Sequence, residues 1–480
     1  LKILFLTPPP LASKLPAERI FGCNYGIYTQ PNIFILYPAT MLRQAGHEVV
    51  CMDFPVNGRT ETDFNEFCEV QEFDLICFYS VFLSKKTDIE ARNRIARKNA
   101  RTRFLFLATE PSASPDDFLD ASSIVIRGEP ESRILGVVDA MQYGLSLTGI
   151  PGISYVEGVR NVHNSGQTLV EDIDSLPFPD RTMLDSSEYN NPKLSRLPFT
   201  TMLASRGCSF GCYYCVPNSL SFAREIEFKR ENQTKTRKPP VRLRGAENVI
   251  EEFRQLAKAG YKSISFIDDQ FIWGTERTIK ICKGIADCGV DWSCLARADM
   301  LQVEEMVNAM GRAGCRYVDI GIESFNQDIL DYIGKDCKVE MVYSAVANLK
   351  KAGIEPELNI LLASCPLETA DTIERTFQET IKLDVDYVLF SVCTPFPYTR
   401  FNEKARDEGW MIAPEYEAID PIKESFVSYP HLPKEQLEKI ICSLYRRYYF
   451  RPSYILKRLR KIQSTRDFLN KARAALTILR

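Results

Sequence analysis

Three cysteines carry the sharpest chemical signal in this chain. They lie in Arg206-Gly207-Cys208-Ser209-Phe210-Gly211-Cys212-Tyr213-Tyr214-Cys215, a C-x3-C-x2-C spacing directly after a short apolar stretch that reads as a strand. Thiolates at this pitch can wrap one face of an iron–sulfur cubane. A complete structural zinc site or an electron-transfer cluster takes four protein ligands, and no fourth Cys or His stands close by in the sequence. Three ligands leave one iron open to a chelating small molecule. Gly207 and Gly211 let the backbone pass close to the cluster, and Tyr214 supplies an aromatic wall beside it. The bland alternative is three ordinary core cysteines, since free Cys is often buried; the glycines and the position after a strand favour the cluster.

Such a loop needs elements to hold it, and the chain around it alternates strand and helix patterns. From Pro198 the sequence predicts strands at 200–204, 263–267, 291–296, 317–321, 357–363 and 387–392, with helices at 246–259, 276–288, 303–313, 339–352 and 370–383. Six strands joined by helices imply a parallel sheet wound as a partial or full βα barrel, with chemistry at the strand C-termini. Before it, the apolar run Lys2–Thr7 and the patterns up to Arg127 predict a separate doubly wound α/β domain. Ligands of such a sheet sit beyond its strand C-termini, here near Pro8–Pro10, Phe54–Gly58, Ser80–Phe82, Thr109–Ser112 and Gly128–Glu131. No glycine-rich phosphate fingerprint follows the first strand, which argues against a dinucleotide. The fold class is therefore α/β, in four segments: a doubly wound domain at 1–148, a proline-broken connector at 149–197, the barrel at 198–425 and a basic helical segment at 426–480.

The totals set few limits. The chain has 480 residues, is 45% apolar and carries a net charge of −3, so nothing in the sum demands a nucleic-acid partner. The charge is uneven: residues 431–480 hold 13 Lys and Arg against three acids. Their basic and large apolar residues interleave at helical spacing, which suits a helical cap over the barrel or contact with anionic lipid headgroups. Fifteen cysteines, an odd number scattered through apolar stretches, point to a reducing cytoplasm. The first apolar run is too short for a signal peptide, and none approaches the roughly 20 residues that cross a bilayer. His47 and His163 read as surface or capping residues rather than ligands.

Taken together, these residues resemble the radical S-adenosylmethionine (SAM) superfamily, in the branch with an N-terminal cobalamin-binding domain. The resemblance covers nearly the whole chain. Beyond the cysteines it rests on Phe266-Ile267-Asp268-Asp269-Gln270-Phe271, Ala296-Arg297-Ala298-Asp299, Gly321-Ile322-Glu323-Ser324, Pro366-Leu367-Glu368-Thr369 and Thr394-Pro395-Phe396-Pro397. It implies a [4Fe-4S] cluster on Cys208, Cys212 and Cys215, with SAM on the open iron and Tyr214 near its adenine. By the same resemblance Asp268 and Asp269 are candidates for the SAM ammonium, Glu323 and Ser324 for the ribose, and Arg297 for the carboxylate or for an ion pair with Asp299. Pro9, Ser80, Gly128 and Glu129 are candidates for cobalamin contact. The chain departs from the branch in three places. Ala363-Ser364-Cys365-Pro366 replaces a glycine-rich turn, Tyr398 stands where glycine is usual, and Asp53-Phe54-Pro55-Val56-Asn57-Gly58 lacks the histidine that would ligate cobalt from below.

The implied activity is methyl transfer from cobalamin to an unactivated carbon of a lipid, isoprenoid, tetrapyrrole or other natural product, after SAM is split to a 5′-deoxyadenosyl radical. The alternative is a cyclisation, ring contraction or oxidation using the same cofactors without net methyl transfer. A reducing partner such as flavodoxin or ferredoxin and a cytoplasmic location, peripheral to a membrane through the basic segment, complete the expectation. An RNA methylthiotransferase is disfavoured because the N-terminal cysteine set of that class is absent, and a non-enzymatic cobalamin-responsive protein would have no use for the cysteine triplet.

Overall fold

The computed structural model describes all residues except 13–15, 22–28, 57, 167, 413–423 and 461–480. The first sheet has seven strands: β1 (Lys2–Thr7), β2 (Glu48–Asp53), β3 (Leu75–Tyr79), β4 (Arg103–Leu107), β5 (Ser123–Ile126), β6 (Ile153–Glu157) and β7 (Arg160–His163), in the order β2-β1-β3-β4-β5-β6-β7. The first five pair in parallel. Runs such as LICFY in β3 are apolar at every position because both sheet faces are covered. Ile3, Phe5, Leu75 and Leu105 pack under helices Ile33–Gln44 and Ile134–Tyr143, and Leu4, Ile76, Phe78 and Phe104 meet Phe64 and Ile95 on the other side.

The start of the expected connector belongs to this sheet instead. β6 and β7 form an antiparallel hairpin on its edge, with Glu157 paired to Arg160 across a two-residue turn that begins at Gly158. Gly158 takes φ +62°, a conformation open to glycine at little cost, which lets so tight a turn close. Pro151 and Gly152 thus precede a strand, whereas Pro177, Pro179 and Pro192 lie in the stretch between β7 and Phe199, whose described residues belong to neither sheet.

The second sheet comprises β8 (Phe199–Met202), β11 (Ser263–Phe266), β12 (Asp291–Ala296), β13 (Cys315–Glu323), β14 (Glu355–Leu362) and β15 (Tyr387–Val392); a small antiparallel ladder joins β9 (Ser205–Arg206) to β10 (Arg242–Leu243). All six large strands are parallel, in the order β15-β14-β13-β12-β11-β8, as a partial barrel built by successive βα units requires. Alternation sorts the side chains of each strand. Val318, Ile320, Leu358 and Ile360 pack into the helical shell, whereas Asp319, Gly321, Asn359 and Leu361 are half-buried on the concave face.

A partial barrel leaves edge strands with unpaired backbone groups. On β15 tyrosines of helices Lys434–Tyr449 and Pro452–Arg460 meet them. The Tyr449 hydroxyl accepts from Val388 N at 3.0 Å and donates to Val388 O at 2.7 Å, and Tyr445 does the same for Phe390 at 3.2 and 2.7 Å. Tyr448 and Tyr454 donate to Val385 O and Asp386 O. The basic residues between them are paired too, Arg447 with Glu374 and both Lys457 and Arg458 with Asp386. The described part of the basic segment is thus a cap over the barrel edge, and the rest of it, 461–480, lies outside the described residues. Tyr449→Phe strips both Val388 groups of their partner. We expect it to cost about 1–3 kcal/mol in denaturant unfolding, with Tyr143→Phe, at an exposed ring, near zero as the control.

Candidate functional site

The cysteine loop leaves the C-terminal end of β8 and runs into helix Ser219–Glu231. One carboxylate grips both ends: Asp269 accepts from Gly207 N at 3.1 Å and from Asn218 N at 2.6 Å. Asn218 in turn caps the helix by accepting from Ser221 N, whose hydroxyl also accepts from Gly207 N. Gly207 is required here. It sits at φ +92°, and an added Cβ would lie 2.9 Å from Arg224 Nη1.

Between the clamps the three thiols are half-buried, with no disulfide. Donors hold the loop backbone from outside: Lys238 Nζ reaches Phe210 O at 2.7 Å and Arg400 Nη2 reaches Gly211 O at 2.6 Å. Arg297 stacks its guanidinium 3.7 Å above the Phe210 ring. Burial, ahead of any charge, pushes the Cys208 and Cys215 thiols up, and the neighbouring Cys212 adds to both. Burial alone would lower the Lys238 ammonium, but Glu225 and then the three cysteines hold it above its ordinary value. The thiols therefore lie within electrostatic reach of one another in a site where bare thiolates are disfavoured, and metal ligation reverses that preference. Among the described residues no three Cys, His, Asp or Glu side chains converge closely enough to hold a single ion. Thiolates on separate irons of a cubane are held apart by the cluster body, so the open spacing of a three-cysteine loop fits a cluster. Asp269→Ala releases both ends of the loop. We expect iron loss to a chelator to be about tenfold faster than in wild type after equal reconstitution, as for other residues that orient metal ligands.

Residues 202–380, which hold these cysteines and four of the six barrel strands whole, match the radical SAM superfamily. That stretch is a radical SAM domain. The chain is 29% identical over 472 residues, 95% of its length and 94% of the relative's, to an uncharacterized methyltransferase of Pyrococcus horikoshii. It is 25% identical to the anaerobic magnesium-protoporphyrin IX monomethyl ester cyclase of Rubrivivax gelatinosus, over 72% of this chain and 60% of that one. Its fold matches the cobalamin-dependent SAM radical enzyme OxsB, solved with aqua-cobalamin and SAM bound, at TM-score 0.69 and 18% identity, covering 94% of this chain and 69% of the other. Both sheets are therefore shared with a cobalamin-dependent radical SAM fold.

Around this radical SAM loop the expected residues fall into two groups. Glu323, Tyr214 and Arg297 gather at it. Glu323 ends β13 at φ +61° and accepts from Lys335 Nζ at 2.8 Å. Burial, then the Glu323 charge, raises the Tyr214 hydroxyl, which hydrogen-bonds to that carboxylate. Arg297 pairs with Asp299 at 2.9 Å and donates to Lys335 O at 2.6 Å, so its ion-pair reading is the one the structure displays. The second group turns away. Asp268 is fully buried and accepts from Ala204 N and Ser205 Oγ, and burial pushes its carboxyl up to about 7. Ser324 bonds Thr376 and Asn326 on the helical side. Asp268 and Asp269 thus brace the loop and its flanks.

The N-terminal candidates divide likewise. Pro9 is buried at the end of β1, beside a small cleft lined by Thr7, Pro8, Pro10 and Ser84. Gly128 N donates to Ser112 Oγ at 2.9 Å. Ser80 donates to Asp88, which also binds Arg19, and both Glu129 oxygens face arginines of the second domain. These last two side chains serve protein partners. Tyr398 keeps the left-handed backbone that favours glycine, φ +67°, and carries its ring onto Phe82 of the first domain, 6.5 Å between centroids, with its hydroxyl donating to Ala113 O. Lys238, Lys335, Arg206 and Arg224 also adjoin the loop, and sequence reasoning assigned a role to none of them; isolated basic residues carry no local signature.

Proposed function

We propose that this chain is a cobalamin-dependent radical SAM methyltransferase acting on an unactivated carbon of a lipid, isoprenoid, tetrapyrrole or related small molecule. One observation carries the reading: a three-cysteine loop without a fourth ligand beside it among the described residues, at the strand C-termini of a partial barrel that packs against the strand C-termini of a doubly wound domain. When bound, the cluster supplies an electron to SAM and the corrinoid carries a methyl group. The protein's own groups would do the rest. Cys208, Cys212 and Cys215 would hold the cluster, Tyr214 and Glu323 would line the SAM side, and the 1–148 domain would take cobalamin at Pro9 and Gly128. The apolar interface of Phe82, Phe222 and Phe396 keeps water from the junction of the two domains.

The cyclase likeness supports a second reading with the same cofactors and no methyl in the product. Among the described residues no helix is long and apolar enough to cross a membrane. Ile455, Leu456 and Leu459 are exposed on the last described helix and support contact with a membrane surface. A flavodoxin or ferredoxin in the cytoplasm suits the electron supply. The test is anaerobic reconstitution with iron, sulfide and hydroxocobalamin, then incubation of reductant and methyl-labelled SAM with lipid and tetrapyrrole extracts. Label in a product together with a bound-corrinoid spectrum supports methyl transfer. A corrinoid-free protein that still cleaves SAM would remove it.

A further inference from the structure

We infer that the N-terminal domain holds the cysteine loop directly, through a buried ion network centred on Glu129, and that Arg206 and Arg224 are positioning residues for the cluster. Arg206 lies two residues before Cys208. Its Nη1 reaches Glu129 Oε1 at 2.7 Å and its Nη2 reaches Glu131 Oε1 at 2.8 Å, with every one of these side chains at most 3% exposed. Its guanidinium also lies 5.1 Å from the Tyr37 ring centre, on a helix of the first domain. The other Glu129 oxygen accepts from Val170 N at 2.7 Å and sits 3.2 Å from Arg224 Nε. A second bridge, Arg127 Nε to Glu227 Oε1 at 2.9 Å, runs alongside.

Burying several charges is costly, and hydrophobic replacements are often as stable, so stability alone gives a weak reason for such a network. Direction is what it supplies. A guanidinium fork meeting two carboxylates fixes its own backbone in angle and distance, and here that backbone is the residue adjoining Gly207. Arg224 acts on the same point from the other side. It is fully buried, its Nη1 lies against Gly207, and that nitrogen has no hydrogen-bond partner among the described residues. A desolvated donor left unpaired beside a loop of three thiols finds an acceptor when thiolates and sulfides are present. The positive charge also offsets the negative charge of a cluster bound by three thiolates.

This inference rests on the iron–sulfur part of the proposed function and is independent of cobalamin. Its test compares the full-length chain with R224M, R224K and the charge-balanced double variant E129Q/R224M, each reconstituted anaerobically with iron and sulfide alone. Iron per chain, the rate of iron loss to a chelator, the EPR spectrum of the reduced cluster and its reduction potential are measured. We expect the double variant to lose iron about tenfold faster than wild type. R224M should shift the potential downward and alter the EPR line shape, and R224K, which keeps the charge, should restore most of the potential. Should the double variant fail to fold, R224M against R224K decides through potential and line shape. Variants that load, retain and reduce their cluster as wild type does would overturn the coupling. Wild type that takes up no cluster would instead sink the proposed function.

Discussion

Cys208→Ala is expected to end SAM cleavage, with 5′-deoxyadenosine formation falling roughly a thousandfold or more, a barrier increase of about 4 kcal/mol. With two thiolates left, the loop no longer fixes a cubane, and among the described residues no other cysteine is clamped at this loop to replace the lost ligand. Folding should survive. Cys208 is half-buried and the loop is held through Gly207, Asn218, Phe210 and Gly211 rather than through its thiols. A small side-chain loss at such a place costs about 1 kcal/mol or less. Cys212→Ala and Cys215→Ala should behave alike, whereas Cys288→Ser, at a helix end, should cleave SAM as wild type does. The measurement is product quantification after anaerobic reduction, beside a thermal melt of each apo-protein. A Cys208→Ala enzyme that still makes 5′-deoxyadenosine at more than about a tenth of the normal rate would place the cluster elsewhere.

The triplet was legible because its chemistry is local: three ligands within eight residues, glycines between them, a strand before. The barrel strands were legible for a related reason. Apolar runs such as YVLFSV keep a short period wherever they fold, and their observed bounds differ from the expected ones by only a few residues. Helix Ser219–Glu231 escaped notice because it is buried nearly all round. Its Arg224 and Glu227 lie inside the interdomain network, so the polar face that marks a surface helix is missing. Glu129 shows the same limit from the other end. Gly128-Glu129-Pro130-Glu131 stood out in the sequence, yet the partner that defines its role, Arg206, is 77 residues away and carries no pattern of its own. The basic segment was legible as a helical cap over the barrel but not in its contacts: that Asp386 and Glu374 would meet its charges, and that its tyrosines would close an open sheet edge, depends on where β15 ends up.

A steep pH dependence of stability is expected from one further buried carboxyl, Glu368. It is 1% exposed, follows β14, and accepts from Ala363 N and Ser364 N. Burial outweighs these donors and pushes the carboxyl up to about 8. Ala363 sits at φ +55°, where a glycine would be at ease, and the turn is pinned by Tyr429 Oη on Ala363 O at 3.0 Å and by Tyr213 Oη on Ser364 O. The neutral acid is therefore the form that fits the turn. An unfolded glutamate titrates near 4.3. Between that value and about 8 the folded chain binds the proton that the unfolded chain has lost, so stability is fully present at low pH and falls as pH rises through this window. The slope approaches about 1.4 kcal/mol per pH unit, a few kcal/mol over the window. Glu368→Gln keeps an acceptor oxygen for Ala363 N and has no proton to lose. It should match wild type near pH 5 and exceed it at pH 8 by most of that difference in urea unfolding of the apo-protein. Equal slopes in the two proteins would mean that Glu368 is ionised inside the fold, and that the left-handed turn at Ala363 is held by the tyrosines alone.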